Sequence, residues 1–374
     1  MKISIITVTL NNKAGLLRAI ESVRSQTYKN VEHIIVDGGS TDGTVEAMNS
    51  LCYPVGIRVR QAGDQLAIKN DRMDLSSRSQ RNQERETKIS LPTSRDRNDS
   101  KDDMSSRIPN GMRDLKNPDK LFTPAGIQNN KSLSNDHYSL VFVSEKDNGI
   151  YDAINKGIRL ATGDVIGLLH SDDFYADEFV LERYAEVFLG EDKSVTSLHR
   201  NDKGMVEAVY SDLVYVKDKA KSDTDPYTLS LIPSTLYPTP SSTIRYWKAQ
   251  KSQFTTEAQK HREILNGWMP PHPTLFLRKE VFEKYGLYRT DMKIAADYEM
   301  ILRLFYEYKI TSHYLPVTTY CMTIGGASNK SLKNILRKSS EDYQAMKLHG
   351  LPFPIKTLLL KNLLKLPQFF RRNS

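Results

Sequence analysis

A chain of 374 residues, 39% of them hydrophobic, is long enough to bury one large α/β core with attached segments, or two domains. Its two cysteines, Cys52 and Cys321, are too few for a disulfide framework or a zinc site, and no apolar stretch approaches the ~20 residues of a bilayer-spanning helix. The net charge of +8 equals the balance from Lys330 to Ser374 alone, so the rest is near neutral, which argues against a nucleic-acid-binding protein.

The first forty residues predict a strand, a helix and a second strand. Residues 3–10 form a β-branched run, and apolar residues recur at helical spacing between Leu16 and Val23. Residues 31–36 form the next β-branched run. Because a strand, helix, strand order implies a right-handed crossover, the two strands are expected to pair in parallel.

The loop after the second strand, residues 37–44, is rich in Gly, Ser and Thr. Such a loop lets the backbone approach a phosphate or a ribose, and Asp37 at the strand end can accept hydrogen bonds from a base or a sugar. The same Asp-Gly-Gly sequence also makes an ordinary turn, and the segment by itself favours the turn.

A polar interval separates this first unit from the rest of the chain. No aromatic residue occurs between Tyr53 and Phe122, and the interval is dense in Arg, Asp, Ser, Asn, Gln and Lys. Such a composition cannot bury enough apolar surface to offset the entropy of ordering it. We therefore predict that residues 61–136 are a disordered insertion between two strands of the sheet.

The chain resumes its strand and helix alternation after the insertion. Residues 138–143 read as a strand, and Ile150, Ile154 and Ile158 share one face of the helix that follows. Gly163 is expected to end that helix before another buried strand.

Two adjacent carboxylates, Asp172 and Asp173, follow this buried strand. In an open α/β sheet ligands bind beyond the carboxyl ends of the strands, and Asp147 is expected at the same edge. Neighbouring aspartates repel each other unless a cation lies between them, and oxygen ligands suit Mg²⁺ or Mn²⁺ with a diphosphate. The alternative is a solvated turn or a helix start, where Asp is common.

In the second half of the chain, the spacing of apolar residues predicts a helix over residues 177–188 and a strand over residues 208–216 that enters a hairpin. Residues 217–268 show no periodicity from which secondary structure can be predicted. Prolines set His272 at a strand start, where a single histidine is more often a structural hydrogen-bonding group than a ligand. A helix begins near Ile294, and its Asp297 is either functional or a helix-end carboxylate stabilised by the dipole.

Five stretches occur in an order that resembles the large inverting GT-A glycosyltransferase family often called family 2. They are SIITVTLNN, SVRSQTYKNVEHIIVDGGSTDGT, SEKDNGIYDAINKGIRLATGDVIGLLHSDDFY, GWMPPHPTLFLRKEVFEKYG and KIAADYEMILRL. The resemblance implies an α/β protein of the GT-A type, a Rossmann-like nucleotide-diphospho-sugar transferase fold with a mostly parallel central sheet. It also implies a divalent metal, Mn²⁺ or Mg²⁺, and transfer of one sugar with inversion.

The resemblance also implies roles for particular residues. Those expected to bind the nucleotide of the donor are Thr7, Thr9, Asn11, Asp37, Asp147 and Asp172. Those expected around the metal and the diphosphate are Asp172, Asp173 and His272, and Asp297 matches the catalytic base. His170 departs from the family, because many members carry there the first Asp of an Asp-x-Asp motif, and imidazole is not the same hard oxygen ligand.

Residues 1–60 and 137–328 are thus predicted to form the glycosyltransferase domain, and residues 329–374 a basic amphipathic C-terminal tail. The tail carries ten Lys and Arg residues against Glu341 and Asp342. Such a segment suits the surface of an anionic membrane, and the alternative is a helix that packs on the catalytic body with its lysines in water. A cytoplasmic protein, peripheral on the inner face of the membrane, is expected.

The leading functional hypothesis is an enzyme that moves a sugar from a nucleotide-diphospho-sugar, a UDP-sugar, to a saccharide or lipid-linked saccharide of a surface polysaccharide or lipopolysaccharide. A nucleotidyltransferase would need a glycine-rich basic loop near the N-terminus, and residues 7–15 hold one Gly and one Lys. The other alternative is an inactive nucleotide-sugar-binding or scaffold protein of the same fold, for which His170 is the only support.

Overall fold

The structure of the protein is a computed structural model that describes residues 1–52, 58–61, 138–192, 204–216, 243–247, 249, 257–323 and 332–365. Apart from Gln61, the predicted insertion of residues 61–136 lies outside the described residues, and so does the tail after residue 365. The disorder predicted for the insertion therefore stays a prediction.

The described residues form a central sheet whose inner strands are continuous runs of buried residues, as expected for strands covered on both faces. The strands are β1 (Ile3–Thr9), β2 (Val31–Asp37), β3 (Arg58–Gln61), β4 (Ser139–Ser144), β5 (Val165–Leu168), β6 (Phe174–Tyr175), β7 (Ala208–Val216), β8 (Thr243–Trp247), β9 (Phe276–Arg278) and β10 (Ser312–Thr323). Strands β3, β6, β8 and β10 were not predicted.

The strand order is β3-β4-β2-β1-β5-β9-β7-β10-β6, and β8 pairs with β7. The first five strands are mutually parallel, whereas β9 is antiparallel to both of its neighbours. The register pairs Thr9 with Asp37 and Asp37 with Ser144. The carboxyl ends of β1, β2 and β4 therefore lie side by side at one edge of a mostly parallel sheet, as predicted.

Helices cover both faces of the sheet. They are α1 (Lys13–Arg24), α2 (Thr44–Cys52), α3 (Ile150–Leu160), α4 (Val180–Leu189), α5 (Glu257–Leu265), α6 (Lys279–Tyr285), α7 (Ala296–Ile301), α8 (Leu332–Leu348) and α9 (Pro354–Lys365). A π-helical segment, Leu302–Glu307, continues α7. No helix among the described residues is long and apolar enough to cross a bilayer.

Alternate residues of β1 enter two different cores, because successive side chains of a strand point to opposite faces. Ile3 and Ile5 pack with α4, whereas Ile6 and Val8 pack with α3 and α7. The core that contains Ile6 and Val8 also contains Ala345 from α8. The described part of the predicted tail is thus packed into the same core as the rest of the catalytic body.

Two local predictions were wrong. Helix α3 ends at Leu160, before Gly163, and Gly163 instead allows close contact with β1, since a Cβ there would lie 2.7 Å from the backbone nitrogen of Ser4. His272 does not start a strand but lies in a short 3-10 turn, and β9 begins at Phe276. The prolines that precede His272 favour this turn because they restrict the backbone to φ near −65°.

Candidate active site

The loops that follow β1, β2, β4 and β5 meet at the carboxyl edge of the sheet, and the start of α7 lies across from them. The imidazole of His170 shows this proximity: burial lowers its pKa, while the charges of Asp172 and Asp297 both act to raise it. Asp297 also acts on the pKa of His272. The structure therefore brings together Asp172, the two histidines and Asp297, which lie far apart in the sequence.

The loops after β1 and β2 are hydrogen-bonded to each other through Asn11, whose φ of 50° lies in the left-handed region. The Asn11 backbone N–H donates to the Ser40 hydroxyl at 2.7 Å, and the Asn11 side-chain oxygen accepts from the Thr41 backbone N–H at 2.8 Å. Nearby, the buried Thr9 hydroxyl has no hydrogen-bond partner among the residues that the structure describes. Thr9 and Asn11 therefore stay candidates for contact with the donor.

The placement of Thr7 disfavours a contact of its side chain with the nucleotide, which stays a prediction. Its side chain is fully buried within the sheet, and its hydroxyl is 2.8 Å from Nε2 of His33 on the neighbouring strand. The other ring nitrogen of His33 lies 3.2 Å from the Tyr138 hydroxyl. Thr7 thus belongs to a buried polar network between strands, and this network already occupies its hydroxyl.

The Asp37 carboxylate is occupied by donors from the protein. It accepts from the backbone N–H groups of Gly39 at 3.2 Å and Ser40 at 3.0 Å, from the Ser40 hydroxyl, and from the Ser144 hydroxyl at 2.6 Å. These bonds form the turn that the segment by itself favours. Asp37 thereby joins the ends of β2 and β4, and its contact with a nucleotide stays a prediction.

Asp147 lies beside the same turn. A Cβ on Gly38 would be 3.1 Å from Oδ2 of Asp147, so a glycine leaves room for this carboxylate. Burial raises the pKa of Asp147, and the Lys156 ammonium, 2.5 Å from its Oδ1, opposes that shift. Lys156, which the sequence did not single out, thus offsets part of the cost of burying this carboxylate at the expected base or ribose position.

The structure separates the two aspartates that follow β5. The buried Asp173 carboxylate accepts from the Tyr320 hydroxyl at 3.0 Å and from the Thr323 backbone N–H at 2.9 Å, and both donors belong to β10. Burial, and then the charge of Asp172, raises the pKa of Asp173 well above its usual range. The predicted metal contact of Asp173 is therefore disfavoured, because its oxygens are used within the protein and face away from solvent.

Asp172 is placed differently. Its backbone carbonyl accepts from the Arg18 guanidinium at 3.0 Å and from the Thr323 hydroxyl at 2.5 Å, which fixes the loop. The carboxylate is only partly buried, and no donor among the described residues contacts it. Of the two adjacent aspartates, Asp172 is the one free to bind a ligand.

Burial favours the neutral form of both histidines of the site. The pKa of His170 is lowered by burial, and its buried Nδ1 has no hydrogen-bond partner within the described part of the chain. Burial lowers the pKa of His272 to about 4, and its Nε2 lies 2.8 Å from the Tyr288 hydroxyl. A neutral imidazole with one uncommitted nitrogen can bind a metal or a hydrogen-bond donor.

Asp297 is the second residue of α7 and is partly exposed. Its Oδ1 accepts from the backbone N–H of Tyr298 at 2.7 Å and lies 3.4 Å from the Tyr151 hydroxyl. That hydroxyl donates to the Ile294 carbonyl at 2.8 Å. No donor among the described residues contacts Oδ2, so one oxygen of this carboxylate is free to accept a proton.

The residues fit a divalent metal only if a substrate completes its coordination. Within the described ranges, no three His, Cys, Asp or Glu side chains converge in a ready metal site. Mg²⁺ and Mn²⁺ are, however, commonly held by one or two carboxylates together with substrate phosphates. The free Asp172 carboxylate and the unpartnered Nδ1 of His170 supply such a partial set of ligands.

Comparison with known proteins places these motifs in a family. The model of "Glycosyl transferase family 2" matches residues 4–68 and 123–286, more than half of the chain. Two uncharacterized glycosyltransferases of Mycobacterium tuberculosis, from strains CDC 1551 / Oshkosh and ATCC 25618 / H37Rv, are each 23% identical over 305 residues, which is 80% of this chain and 68% of theirs.

Solved structures with a similar course of the chain are more distant. S. aureus TarS is 14% identical with a TM-score of 0.45 over 93% of this chain, which spans 39% of the TarS chain. TarS 1–349 in complex with UDP-GlcNAc is 14% identical with a TM-score of 0.44, over 93% of this chain and 65% of that one. The mannosyltransferase PcManGT from Pyrobaculum calidifontis, in complex with GDP-Man and Mn²⁺, is 13% identical with a TM-score of 0.46. The match covers 99% of this chain and 71% of the PcManGT chain.

Proposed function

Since the chain belongs to glycosyl transferase family 2, and is a glycosyltransferase, we propose that it transfers one sugar with inversion from a nucleotide-diphospho-sugar to a hydroxyl of a saccharide acceptor. One observation carries the proposal. Asp172 and Asp297 lie close enough to the His170 imidazole for the charges of both to act on its pKa, and each has a carboxylate oxygen that no described residue contacts. The site thus offers one carboxylate for the diphosphate side and another for the acceptor side.

Asp297 acts as the general base. The acceptor hydroxyl loses its proton to the free Oδ2 of Asp297 as its oxygen forms a bond to the anomeric carbon of the donor. The bond between that carbon and the diphosphate oxygen breaks in the same step, and the attack from the opposite face inverts the configuration. The Tyr298 backbone N–H holds the other oxygen, Oδ1, which orients the carboxylate.

The diphosphate leaves from the side of Asp172. Asp172, with His170 or His272 close by, would hold a divalent metal, which would supply Lewis-acid stabilisation of the negative charge that develops on the leaving group. Thr9, Asn11, Asp37 and Asp147 lie around the nucleoside, proposed to be uridine.

The acceptor is proposed to be a lipid-linked saccharide of a surface polysaccharide or lipopolysaccharide. Helix α9 supports this because its polarity is inverted: it buries Thr357 and Lys361 against the protein and exposes a stripe of apolar side chains. The stripe consists of Ile355 (63% exposed), Leu359 (59%) and Leu363 (55%). Lys356 is exposed beside it, in a segment with eight more positive than negative charges. Such a face binds an anionic leaflet.

A donor panel tests the proposal. The wild-type protein is incubated with UDP-GlcNAc, UDP-glucose, UDP-galactose and GDP-mannose, with Mn²⁺, with Mg²⁺ or with EDTA, and release of the nucleoside diphosphate is measured. We expect release from one UDP-sugar that depends on the metal. Binding of a nucleotide-sugar by calorimetry without any release would instead favour the inactive binding protein, for which the replacement of an aspartate by His170 is the supporting observation.

A further inference from the structure

The backbone that leads into the catalytic helix is held by a residue from the C-terminal helices. The Glu341 side chain, on α8, is buried, and its Oε2 accepts from the backbone N–H groups of Ile294 at 2.8 Å and Ala295 at 3.0 Å. Ala295 is the N-cap residue of α7, two positions before Asp297. From the other side, the Tyr151 hydroxyl donates to the Ile294 carbonyl. The peptide between Ile294 and Ala295, which precedes Asp297, is thus held by Glu341 at its N–H and by Tyr151 at its carbonyl.

A second contact from the same helices reaches the residue after Asp297. The Lys361 ammonium, on α9, forms a buried ion pair with Asp342 at 2.8 Å and lies 3.1 Å from the centre of the Tyr298 ring. Burial lowers the pKa of Lys361, and the charge of Asp297 is among those that oppose this shift. The ammonium therefore lies close enough to Asp297 to influence it electrostatically.

The same helices also pack against the segment that carries His272. The Thr357 hydroxyl donates to the Leu265 carbonyl at 2.8 Å, and a Cβ on Gly267 would lie 2.4 Å from the backbone nitrogen of Lys361. Gly267 has a φ of 87°, which favours glycine on conformational grounds as well. Helices α8 and α9 together thus contact the segment that carries Asp297 and the segment that leads to His272.

We propose that Glu341 is a positioning residue for the glycosyl transfer reaction, which acts through the backbone of Ile294 and Ala295 to hold Asp297 in line with the acceptor hydroxyl. The proposal rests on the proposed role of Asp297 as the base. The matching family model ends at residue 286, so neither Asp297 nor Glu341 lies in the matched region. The proposed base, Asp297, and the residue that positions it, Glu341, both come from the part of the chain that follows the matched region.

The experiment compares Glu341→Ala, Glu341→Gln and Glu32→Ala with the wild-type protein. Glu32 is the matched control: it is a buried carboxylate at the start of β2, away from the site, that accepts from the Ser4 hydroxyl at 2.6 Å and from the Thr162 backbone N–H at 2.8 Å. Measured are Tm, hydrogen exchange of the peptide that contains residues 294 and 295, and the kcat and donor KM for nucleoside diphosphate release in the donor panel.

We expect Glu341→Ala to lower kcat by about 10²-fold, because a small misplacement of a catalytic group costs that much. The donor KM should change by less than about twofold, since the donor contacts are made elsewhere. Hydrogen exchange at residues 294 and 295 should accelerate. Glu341→Gln should restore kcat to within about fivefold of wild type, because one amide oxygen can accept both N–H groups as Oε2 does. Glu32→Ala should lower Tm but leave kcat nearly unchanged.

Three outcomes would overturn the proposal: a Glu341→Ala kcat no lower than that of Glu32→Ala, a donor KM that rises in proportion to the loss of kcat, or a Glu341→Gln variant as slow as Glu341→Ala. The last would mean that charge rather than hydrogen bonding matters. If the wild-type protein releases no nucleoside diphosphate from any donor, the proposed function fails and the positioning role falls with it. Normal wild-type turnover with a fully active Glu341→Ala variant overturns the positioning role alone.

Discussion

At the scale of single residues, the two oxygens of Asp297 have different surroundings. Oδ1 is held by the Tyr298 backbone N–H, and Oδ2 has no donor among the described residues. The sequence left open whether Asp297 is functional or only a carboxylate that stabilises the start of a helix. The structure shows the helix contact, because Oδ1 accepts from the backbone of α7. That bond orients the group and leaves the second oxygen free for the proposed proton transfer.

Asp297→Asn should lower kcat by about 10²- to 10⁴-fold, the usual contribution of a general base, and leave the donor Kd unchanged. The amide keeps the size of the carboxylate but cannot accept the proton. Turnover is measured as nucleoside diphosphate release, and binding is measured by calorimetry. Asp291→Asn is the control, since Asp291 pairs with Arg289 at the surface of the same segment. Equal turnover in both variants would exclude Asp297 as the base.

The adjacent Asp172 and Asp173 should respond differently to substitution. Asp172→Ala should weaken metal-dependent donor binding by at least about tenfold, because its free carboxylate is the proposed ligand. Asp173→Asn should instead lower Tm, because the amide cannot accept from both the Tyr320 hydroxyl and the Thr323 N–H without turning a donor toward one of them. Calorimetry with Mn²⁺ and donor, beside thermal unfolding, separates the two effects. Loss of donor affinity in the Asp173 variant alone would reverse the assignment.

At the scale of elements, the C-terminal helices are attached to the body by a buried ion pair. The Asp342 and Lys361 side chains are 3% and 2% exposed, and no described residue contacts the second oxygen of Asp342. A buried pair whose polar atoms are not all satisfied adds little net stability, but removal of one partner leaves a charge without compensation.

Lys361→Met should therefore lower the free energy of unfolding by about 3–5 kcal/mol. The double variant Asp342→Leu with Lys361→Met should recover most of that loss, because no unpaired charge is left in the core. Urea unfolding monitored by circular dichroism gives both values. A double variant that is no more stable than Lys361→Met would show that the pair itself supplies the stability.

The apolar stripe of α9 makes a prediction about membranes. Changing Ile355, Leu359 and Leu363 to Ser together should reduce binding to phosphatidylglycerol vesicles by about 10²-fold or more, since each exposed side chain stands to bury apolar area worth ~1.5–3 kcal/mol.

The control for this experiment changes three exposed apolar residues outside the stripe, Phe179, Leu189 and Leu336, to Ser. Flotation with phosphatidylcholine vesicles as a second surface shows whether anionic lipid is required. Equal binding of both triple variants to the anionic vesicles would assign the stripe to another role.

At the scale of the whole molecule, buried neutral histidines make stability depend on pH. Burial lowers the pKa of His33 to about 3 and that of His272 to about 4, whereas the unfolded chain titrates near 6.5. Below pH 6.5 the unfolded chain binds the extra protons, so the stabilisation is present above that pH and is lost as the pH falls toward 4 and then 3. The pKa of Asp173 is raised in the folded protein, so its contribution to stability is present at low pH and is lost as the pH rises.

His33→Gln should make the pH dependence of the free energy of unfolding shallower by up to about 1.4 kcal/mol per pH unit between pH 6 and 4, since it removes one of these groups. The glutamine can still hydrogen-bond the Thr7 hydroxyl. Urea unfolding at a series of pH values measures the slope. Identical slopes for the wild-type and variant proteins would show that His33 is protonated in the folded state.

Much of the α/β architecture could be predicted from local patterns. The β-branched runs at residues 3–10 and 31–36 and the helix between them required no information from the rest of the chain, because burial on both faces of a strand selects such residues directly. The GT-A fold predicted from the order of five motifs is confirmed by the family match and the mostly parallel sheet. The motifs also identified Asp172 and Asp297, which the structure brings to one site.

Other features depend on contacts between residues far apart in the chain, which no periodicity reveals. Asp173 resembles Asp172 in the sequence, yet only the position of β10 turns it inward to Tyr320. Lys361 reads as a solvated lysine of a basic amphipathic tail, but tertiary packing buries it against Tyr298 and turns leucines outward. The amino-acid sequence by itself determined the strands, the helices and the family, since these follow from local composition and motif order. Only the tertiary structure decided which carboxylates are free to react, because that depends on which distant donors reach them.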